Sequence, residues 1–209
     1  MLRDIRTQYE FAKLDEKSVN TNPMTQINDW LNEAIETHQP EPNAMVVTTV
    51  NADLQPHARV VLLKEISNNG FIFYTNFNSQ KGQDIAQNNQ ISLLFFWQGL
   101  ERQVRINGTV DKIDEQTATD YFHSRPIDSQ LAAWASPQSS VIPSREFLDD
   151  RFKSYQAQFE NNIPKPPHWG GYIVTPHQIE FWQGRPNRLH DRLIFTKETD
   201  NWKIERLAP

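Results

Sequence analysis

Apolar positions along the chain follow two different periods, and the switch between them divides the sequence. Ile27, Trp30, Leu31, Ala34 and Ile35 recur at the three-and-four spacing of one helix face. Asn22 stands where a capping side chain belongs, and Pro23 sits in the first turn, where its missing N–H is no loss. Gln39-Pro40-Glu41-Pro42 cannot continue the helix, so the pattern predicts an amphipathic helix over residues 23–38. Beyond it the apolar runs are short and punctuated by turns. Ala44–Val50 and Ala58–Ile66 read as strands around Asn51-Ala52-Asp53-Leu54-Gln55-Pro56. Asn68-Asn69-Gly70 marks a further turn before Phe71–Thr75, and Gln90–Trp97 and Glu101–Ile113 are strands flanking Gly99. Strands joined by turns rather than by helices predict antiparallel pairing: a mainly β, α+β meander or barrel, not a doubly wound sheet.

Helical spacing returns in the gaps. Tyr74-Thr75-Asn76-Phe77-Asn78-Ser79-Gln80-Lys81-Gly82 runs off a strand into a helix extending through Gln87. A second helix starts near Asp114 and stops at Arg125-Pro126, with Tyr121 and Arg125 four apart on one face. Leu131–Ala135 is short, and Ser144 caps a helix to about Phe159. Phe147, Leu148, Phe152, Tyr155 and Phe159 form its stripe, which belongs to the core or to a dimer interface. Pro164–Pro167 is a rigid connection before Trp169-Gly170-Gly171-Tyr172 begins a closing sheet. Residues 1–22 read as a short helix in a mobile segment, and 23–209 as a single domain with helical additions.

Composition narrows the function. The chain has no run of eighteen apolar residues, and Met1-Leu2-Arg3-Asp4-Ile5-Arg6 lacks the apolar core of a secretion signal. These features, with zero cysteines, fit the cytoplasm and exclude disulfides, thiolate catalysis and cysteine metal sites. A net charge of −5 argues against a broad nucleic-acid surface, so any anion site must be local. No credible metal-ligand spacing and no Gly-x-Gly-x-x-Gly run is present.

The densest chemistry is Phe181-Trp182-Gln183-Gly184-Arg185-Pro186-Asn187-Arg188-Leu189-His190-Asp191-Arg192. As two short strands around a Gly-Arg-Pro-Asn turn, it places Arg188, His190 and Arg192 on one face and Leu189, Asp191 and Leu193 on the other. One reading is a solvated edge strand that uses charge against aggregation. The aromatic wall of Phe181 and Trp182 favours another, a site for a flat, anionic aromatic ligand. Elsewhere Arg59 and Lys64 are five apart, an odd spacing that a regular strand sends to opposite faces. Ser79 and Lys81 at a helix start suit a phosphate, though Ser79 also suits a plain N-cap.

Phe-Trp-Gln-Gly followed by Arg-Leu-His-Asp-Arg, with the close Trp202-Lys203-Ile204-Glu205-Arg206-Leu207-Ala208-Pro209, resembles the pyridoxine (pyridoxamine) 5′-phosphate oxidase family. The likeness runs from about Asn43 to Pro209 and is weak before that. It implies a split β-barrel holding flavin mononucleotide (FMN) at a homodimer interface. Through it, Arg59, Tyr74, Thr75, Ser79, Lys81, Gln103, Gln138, Ser139, Trp182 and Arg192 are assigned to FMN, with the backbone of Val60, Val61 and Leu62 and with Lys64 alongside. Lys64, Tyr121, Arg125 and Ser129 are assigned to the substrate phosphate, and Arg6 and Tyr9 match N-terminal substrate contacts. The family has an arginine where this chain has Gln80. Arg188 and His190 are placed on the substrate as the catalytic pair: Arg188 to stabilise developing negative charge, His190 either to orient the substrate or to exchange a proton. His123 is left structural.

The implied reaction oxidises pyridoxine or pyridoxamine 5′-phosphate to pyridoxal 5′-phosphate, with hydride passing from C4′ to the flavin and O2 becoming H2O2. Two rivals remain: a split-barrel flavin reductase, and a non-enzymatic carrier of flavin or pyridoxal phosphate.

Overall fold

Nine antiparallel strands and five α-helices carry the computed structural model, which describes residues 1–4, 8–67, 69–159 and 162–209. Helix α1 (Pro23–Glu36) begins at the predicted cap, where the Asn22 side chain accepts the Met24 N–H at 2.9 Å. It buries Ile27, Trp30 and Ala34, with Trp30 set edge-on to Phe181 at 5.2 Å. Ile35, counted in the predicted stripe, is 53% exposed.

The strands are β1 (Ala44–Val50), β2 (Pro56–Leu62), β3 (Glu65–Ser67), β4 (Gly70–Asn76), β5 (Gln90–Trp97), β6 (Arg102–Lys112), β7 (Trp169–Gln183), β8 (Asp191–Lys197) and β9 (Trp202–Arg206). They pair in the order β2-β1-β5-β6-β7-β4-β3, with β8 added to β7 and β9 to β8. Strand β7 is the hinge of this curled half-barrel. Its first half pairs with β4 (Asn76↔Trp169 to Phe71↔Val174) and its second with β8 (Gln178↔Thr196 to Gln183↔Asp191). Between the halves the register against β6 slips, from Gly108↔Pro176 to Asn107↔Gln178, leaving His177 as an extra residue. A bulge of this kind bends and twists its strand, which lets one strand serve two neighbours on the same edge.

Residues 58–66, predicted as one strand, form parts of two. The chain leaves β1 after Leu62: the Leu63 N–H donates to Asn43 O at 2.8 Å, and the Lys64 N–H donates to Ile72 O at 2.9 Å. The backbone thus crosses from one half of the sheet to the other within two residues.

The large core fills the barrel with Phe71, Phe73, Phe95, Ile106, Phe181 and Phe195, all fully buried or nearly so. The remaining helices are α2 (Gln80–Gln87), α3 (Glu115–Ser124), α4 (Ile127–Ala135) and α5 (Arg145–Phe159). A smaller core, Phe122, Leu131, Ile163 and Trp169, joins α3, α4 and α5 to β4 and β7, while α2 packs through Ile85 on the large core. The α5 stripe is only part-buried: Phe152, Tyr155 and Phe159 pack on the smaller core. Near the N-terminus, residues 2–4 make a single 3-10 turn. Residues 8–20 then run along the C-terminal strands, where the Leu14 N–H donates to Asp191 at 3.2 Å and Glu16 pairs with Arg206 at 2.7 Å. Among the described residues no helix is long and apolar enough to cross a membrane.

Candidate active site

A cavity of about 700 Å³ opens between β2, the start of α2 and the α3–α4 corner. Four cations line it, Arg59, Lys64, Lys81 and Arg125, and no carboxylate does among the described residues. Val60, Val61, Leu62, Tyr74, Thr75, Tyr121, Ser129, Gln138 and Ser139 complete the predicted set that the fold gathers here. The break after Leu62 answers the odd spacing of Arg59 and Lys64. Because the strand ends between them, both reach one cavity.

At one end lies the first turn of α2. Lys81 is 6% exposed, and its Nζ donates to Thr75 Oγ1 at 3.0 Å and Ser79 Oγ at 3.2 Å. Burial, and then the neighbouring Arg59, push its ammonium down to about 8. Two hydroxyls are poor compensation for a buried charge, so this end is short of an anion. Ser79 is fully buried and caps α2: its hydroxyl donates to Asn76 O at 2.6 Å and accepts the Gly82 N–H at 3.4 Å. Gly82 is required there, because a Cβ would run into the Phe77 carbonyl. The N-cap reading of Ser79 is met in the geometry, and Ser79 is not among the residues lining the cavity.

Beneath this end is a buried carboxylate that sequence reading missed. Asp84 accepts from Thr49 at 2.6 Å, from Gln80 at 2.9 Å and from His57 at 3.0 Å. Burial opposes its ionisation, but those three donors outweigh it and hold the carboxyl below its usual value. Arg59 stands 3.9 Å away and donates through Nη1 to Thr49 Oγ1 and His57 O, both at 2.8 Å. Gln80 therefore lines the cavity with its amide already tied to Asp84.

At the other end Tyr74, Tyr121 and Trp169 form an aromatic stack, with Tyr74 and Tyr121 centroids 3.8 Å apart. Burial pushes the Tyr74 hydroxyl up to about 12, so it stays a neutral donor. Arg125 ends α3 as its C-cap and lies over Trp169 at 4.8 Å. Its Nη1 is the one buried side-chain polar atom without a partner among the described residues. A buried guanidinium nitrogen left unbonded is costly unless a ligand meets it. Thr75 donates to Gln138 at 3.3 Å, bringing the Gln138–Ser139 loop to the rim. His123 bonds the Ile163 carbonyl at 3.2 Å, a structural role as expected.

The remaining predicted residues are elsewhere. Gln103, Trp182, His190 and Arg192 line a second cavity of about 210 Å³, with Arg105, Glu180 and Pro209. Buried Glu180 holds Arg192 at 2.8 Å. No residue lines both cavities. The alternation predicted for Arg188, His190 and Arg192 does not occur. Strand β7 ends at Gln183, the chain turns through a 3-10 segment at Pro186–Arg188, and β8 starts only at Asp191. Asn187 and Arg188 take left-handed φ of 58° and 62°, which removes Arg188 from any strand register and leaves it exposed. Leu189, expected on the opposite face from the charges, is 68% exposed. His190 and Arg192 do share a side, and Tyr9 packs edge-on against Trp182 and His190, each at 5.7 Å. Arg6 lies outside the described residues.

A curled antiparallel half-barrel with a cationic groove defines the split-barrel class of FMN-binding folds. Two solved structures share it. PhzG from Burkholderia lata 383, in complex with tetrahydrophenazine-1-carboxylic acid, superposes with a TM-score of 0.88 at 28% identity, covering 94% of this chain and 98% of that one. A pyridoxamine 5′-phosphate oxidase-related, FMN-binding protein from Nostoc punctiforme PCC 73102 gives 0.72 at 14% identity over 90% and 98%, a likeness of fold alone. The chain belongs to the pyridoxamine 5′-phosphate oxidase family: residues 31–159 match that family and residues 169–209 match its pyridoxine 5′-phosphate oxidase C-terminal dimerisation region. Pyridoxine/pyridoxamine 5′-phosphate oxidases of Acaryochloris marina and Burkholderia mallei are 52% and 50% identical to it. Both cover the whole chain, and 95% and 99% of their own lengths. The likeness therefore includes the first forty residues, where the motifs alone were weak.

Proposed function

We propose that the protein is an FMN-dependent oxidase acting on pyridoxine 5′-phosphate and pyridoxamine 5′-phosphate to give pyridoxal 5′-phosphate, as a homodimer with two flavins. The observation that carries this is the pair of buried, unmatched cationic groups in one cavity, Lys81 at one end and the partnerless Arg125 Nη1 at the other. Two anions of one complex, a cofactor phosphate and a substrate phosphate, account for both. Lys81, Arg59, Thr75 and the α2 N-terminus capped by Ser79 would hold the FMN phosphate, and the backbone of Val60–Leu62, with Tyr74, Gln138 and Ser139, would flank the flavin. Arg125, Tyr121, Ser129 and Lys64 would hold the substrate phosphate.

Gln103, Trp182, Arg188, His190 and Arg192 would come to this cavity from a second copy of the chain. Val60, 65% exposed, and Leu62, 37% exposed, at the cavity mouth leave apolar surface for such a partner. Trp182 and Arg192, the latter fixed by Glu180, would face the flavin, while Arg188 and His190 would face the substrate. FMN held by these residues would supply the two-electron chemistry, hydride acceptance from C4′ and reduction of O2 to H2O2. The protein's part is to orient both ligands and to set the charge around the reacting carbon.

Oxygen uptake by FMN-reconstituted protein with pyridoxine 5′-phosphate and with pyridoxamine 5′-phosphate tests the proposal. Peroxide and pyridoxal 5′-phosphate should appear in equal amounts. A protein that takes up FMN yet consumes no oxygen with either substrate would be a carrier, and a colourless monomer indifferent to added FMN would overturn the reading altogether.

A further inference from the structure

The ring of His190 is held in a single tautomer by the backbone. The Arg185 N–H is directed at His190 Nδ1 at 3.1 Å. An amide N–H can only donate, so Nδ1 must offer its lone pair, and the one proton of a neutral imidazole falls to Nε2. The turn is shaped for this contact. Arg185 is extended, and the left-handed pair Asn187 and Arg188 folds the chain back so that position 190 meets position 185. Both sides of the turn are pinned: the Gly184 N–H donates to Glu101 O at 2.7 Å, and Asp191 pairs with Arg185 at 3.4 Å and with Arg206 at 2.8 Å.

The surroundings oppose a second proton. Trp182 covers the ring at 4.6 Å and Tyr9 approaches at 5.7 Å. Burial and then the charge of Arg188 lower the imidazole's affinity for a proton. Arg192 and Arg105 share its cavity, and among the described side chains lining it the one carboxylate, Glu180, is already paired with both of them. Asp191, next in the chain, is engaged by Arg185 and Arg206.

We propose that His190 acts as a neutral hydrogen-bond donor through Nε2–H, and not as an acceptor of the substrate's proton. The role rests on the reading above that His190 meets the substrate; the tautomer does not. A proton shed from the oxidised C–OH or C–NH3⁺ group then goes to water, and the ring keeps the same proton throughout.

Two measurements test this. The first is long-range ¹H–¹⁵N correlation on ¹⁵N-histidine protein without substrate, with His190→Asn used to assign the signal among the six histidines. It should show an unprotonated Nδ1 and a protonated Nε2 from about pH 6 to 8, the range in which imidazoles ordinarily titrate. A protonated Nδ1, in either the other tautomer or the imidazolium, overturns the proposal. The second is oxygen uptake with pyridoxine 5′-phosphate. His190→Gln keeps a neutral N–H near the Nε2 position but cannot accept a proton. It should stay within about tenfold of wild type in kcat/KM with a superimposable pH profile, whereas His190→Ala falls by about 10–100-fold. A glutamine variant as impaired as the alanine variant, with losses of about 10²–10⁴, would identify a base and overturn the proposal. Should wild type itself consume no oxygen, the functional reading fails while the tautomer measurement still decides this one.

Discussion

Replacing Lys81 by methionine should move two quantities in opposite directions. The ammonium is 6% exposed, contacts only hydroxyls, and titrates near about 8 instead of its ordinary 10.5. Each tenfold in that equilibrium is about 1.36 kcal/mol, so keeping the charge inside the ligand-free fold costs about 3 kcal/mol. The linkage has a definite sign. Below about pH 8 both folded and unfolded chains hold the proton and the whole penalty is present. Between about 8 and 10.5 only the unfolded chain holds it, so stability rises with pH. Methionine has similar length and no charge. Allowing for the two hydroxyls it leaves without a donor, the ligand-free variant should gain about 1–2 kcal/mol, or about 2–8 °C in melting temperature for a chain of this size.

Affinity for FMN should fall. Removing one partner of a buried charge pair costs about 2–5 kcal/mol, and with Arg59 and the α2 N-terminus still present about 2–4 is expected. That is roughly 30–1000-fold in Kd. Riboflavin, which lacks the phosphate, should bind wild type and variant within about twofold. Flavin-fluorescence titration at pH 7 and low salt reads both ligands, and calorimetry of the ligand-free proteins reads stability. Wild-type affinity for FMN should also weaken above about pH 8, as Lys81 loses its proton, while the variant's does not. Equal FMN affinities would place the phosphate elsewhere, and a lower melting temperature in the variant would show that the charge is compensated after all.

Arg125→Met follows the same logic at the other end. It removes the buried nitrogen without a partner, so thermal stability should hold or rise while KM for either phosphate substrate increases about 100-fold or more. Gln80→Arg puts a cation beside both Asp84 and the cavity; FMN should tighten by about fivefold at low salt and less at high salt, with saturated turnover unchanged. Gly82→Ala forces a methyl group into the Phe77 carbonyl and should lower stability by about 1–3 kcal/mol in a thermal melt. Glu180→Gln keeps the shape but removes the charge that fixes Arg192, so FMN affinity should drop in the dimer while the fold, read by circular dichroism, is kept.

Local pattern alone was enough for the elements whose signals lie within a few residues. Strands β1 and β5 have the predicted bounds, and α1 starts at its predicted Asn22-Pro23 cap, because alternation, helical spacing and capping are short-range properties of the chain. The residue types of the site were also legible. Charged groups beside aromatics at Trp182, His190 and Arg192, and around Lys81 and Arg125, cannot be mistaken for a dry core.

Periodicity says which face of an element is buried, but not which element buries it. The break at Leu63–Lys64 depends on Asn43 and Ile72, and the bend at His177 exists only because β7 changes neighbours there. Asp84 reads as an ordinary polar helix residue until the fold brings Thr49 and His57 to it from 35 and 27 positions away. The Arg188 turn looked like a strand because backbone sterics at Asn187 were not in the pattern. Whether a cation is matched is likewise a three-dimensional property: sequence shows four positive charges, and only the folded cavity shows that two of them, Lys81 and Arg125, bury a cationic nitrogen without an anion.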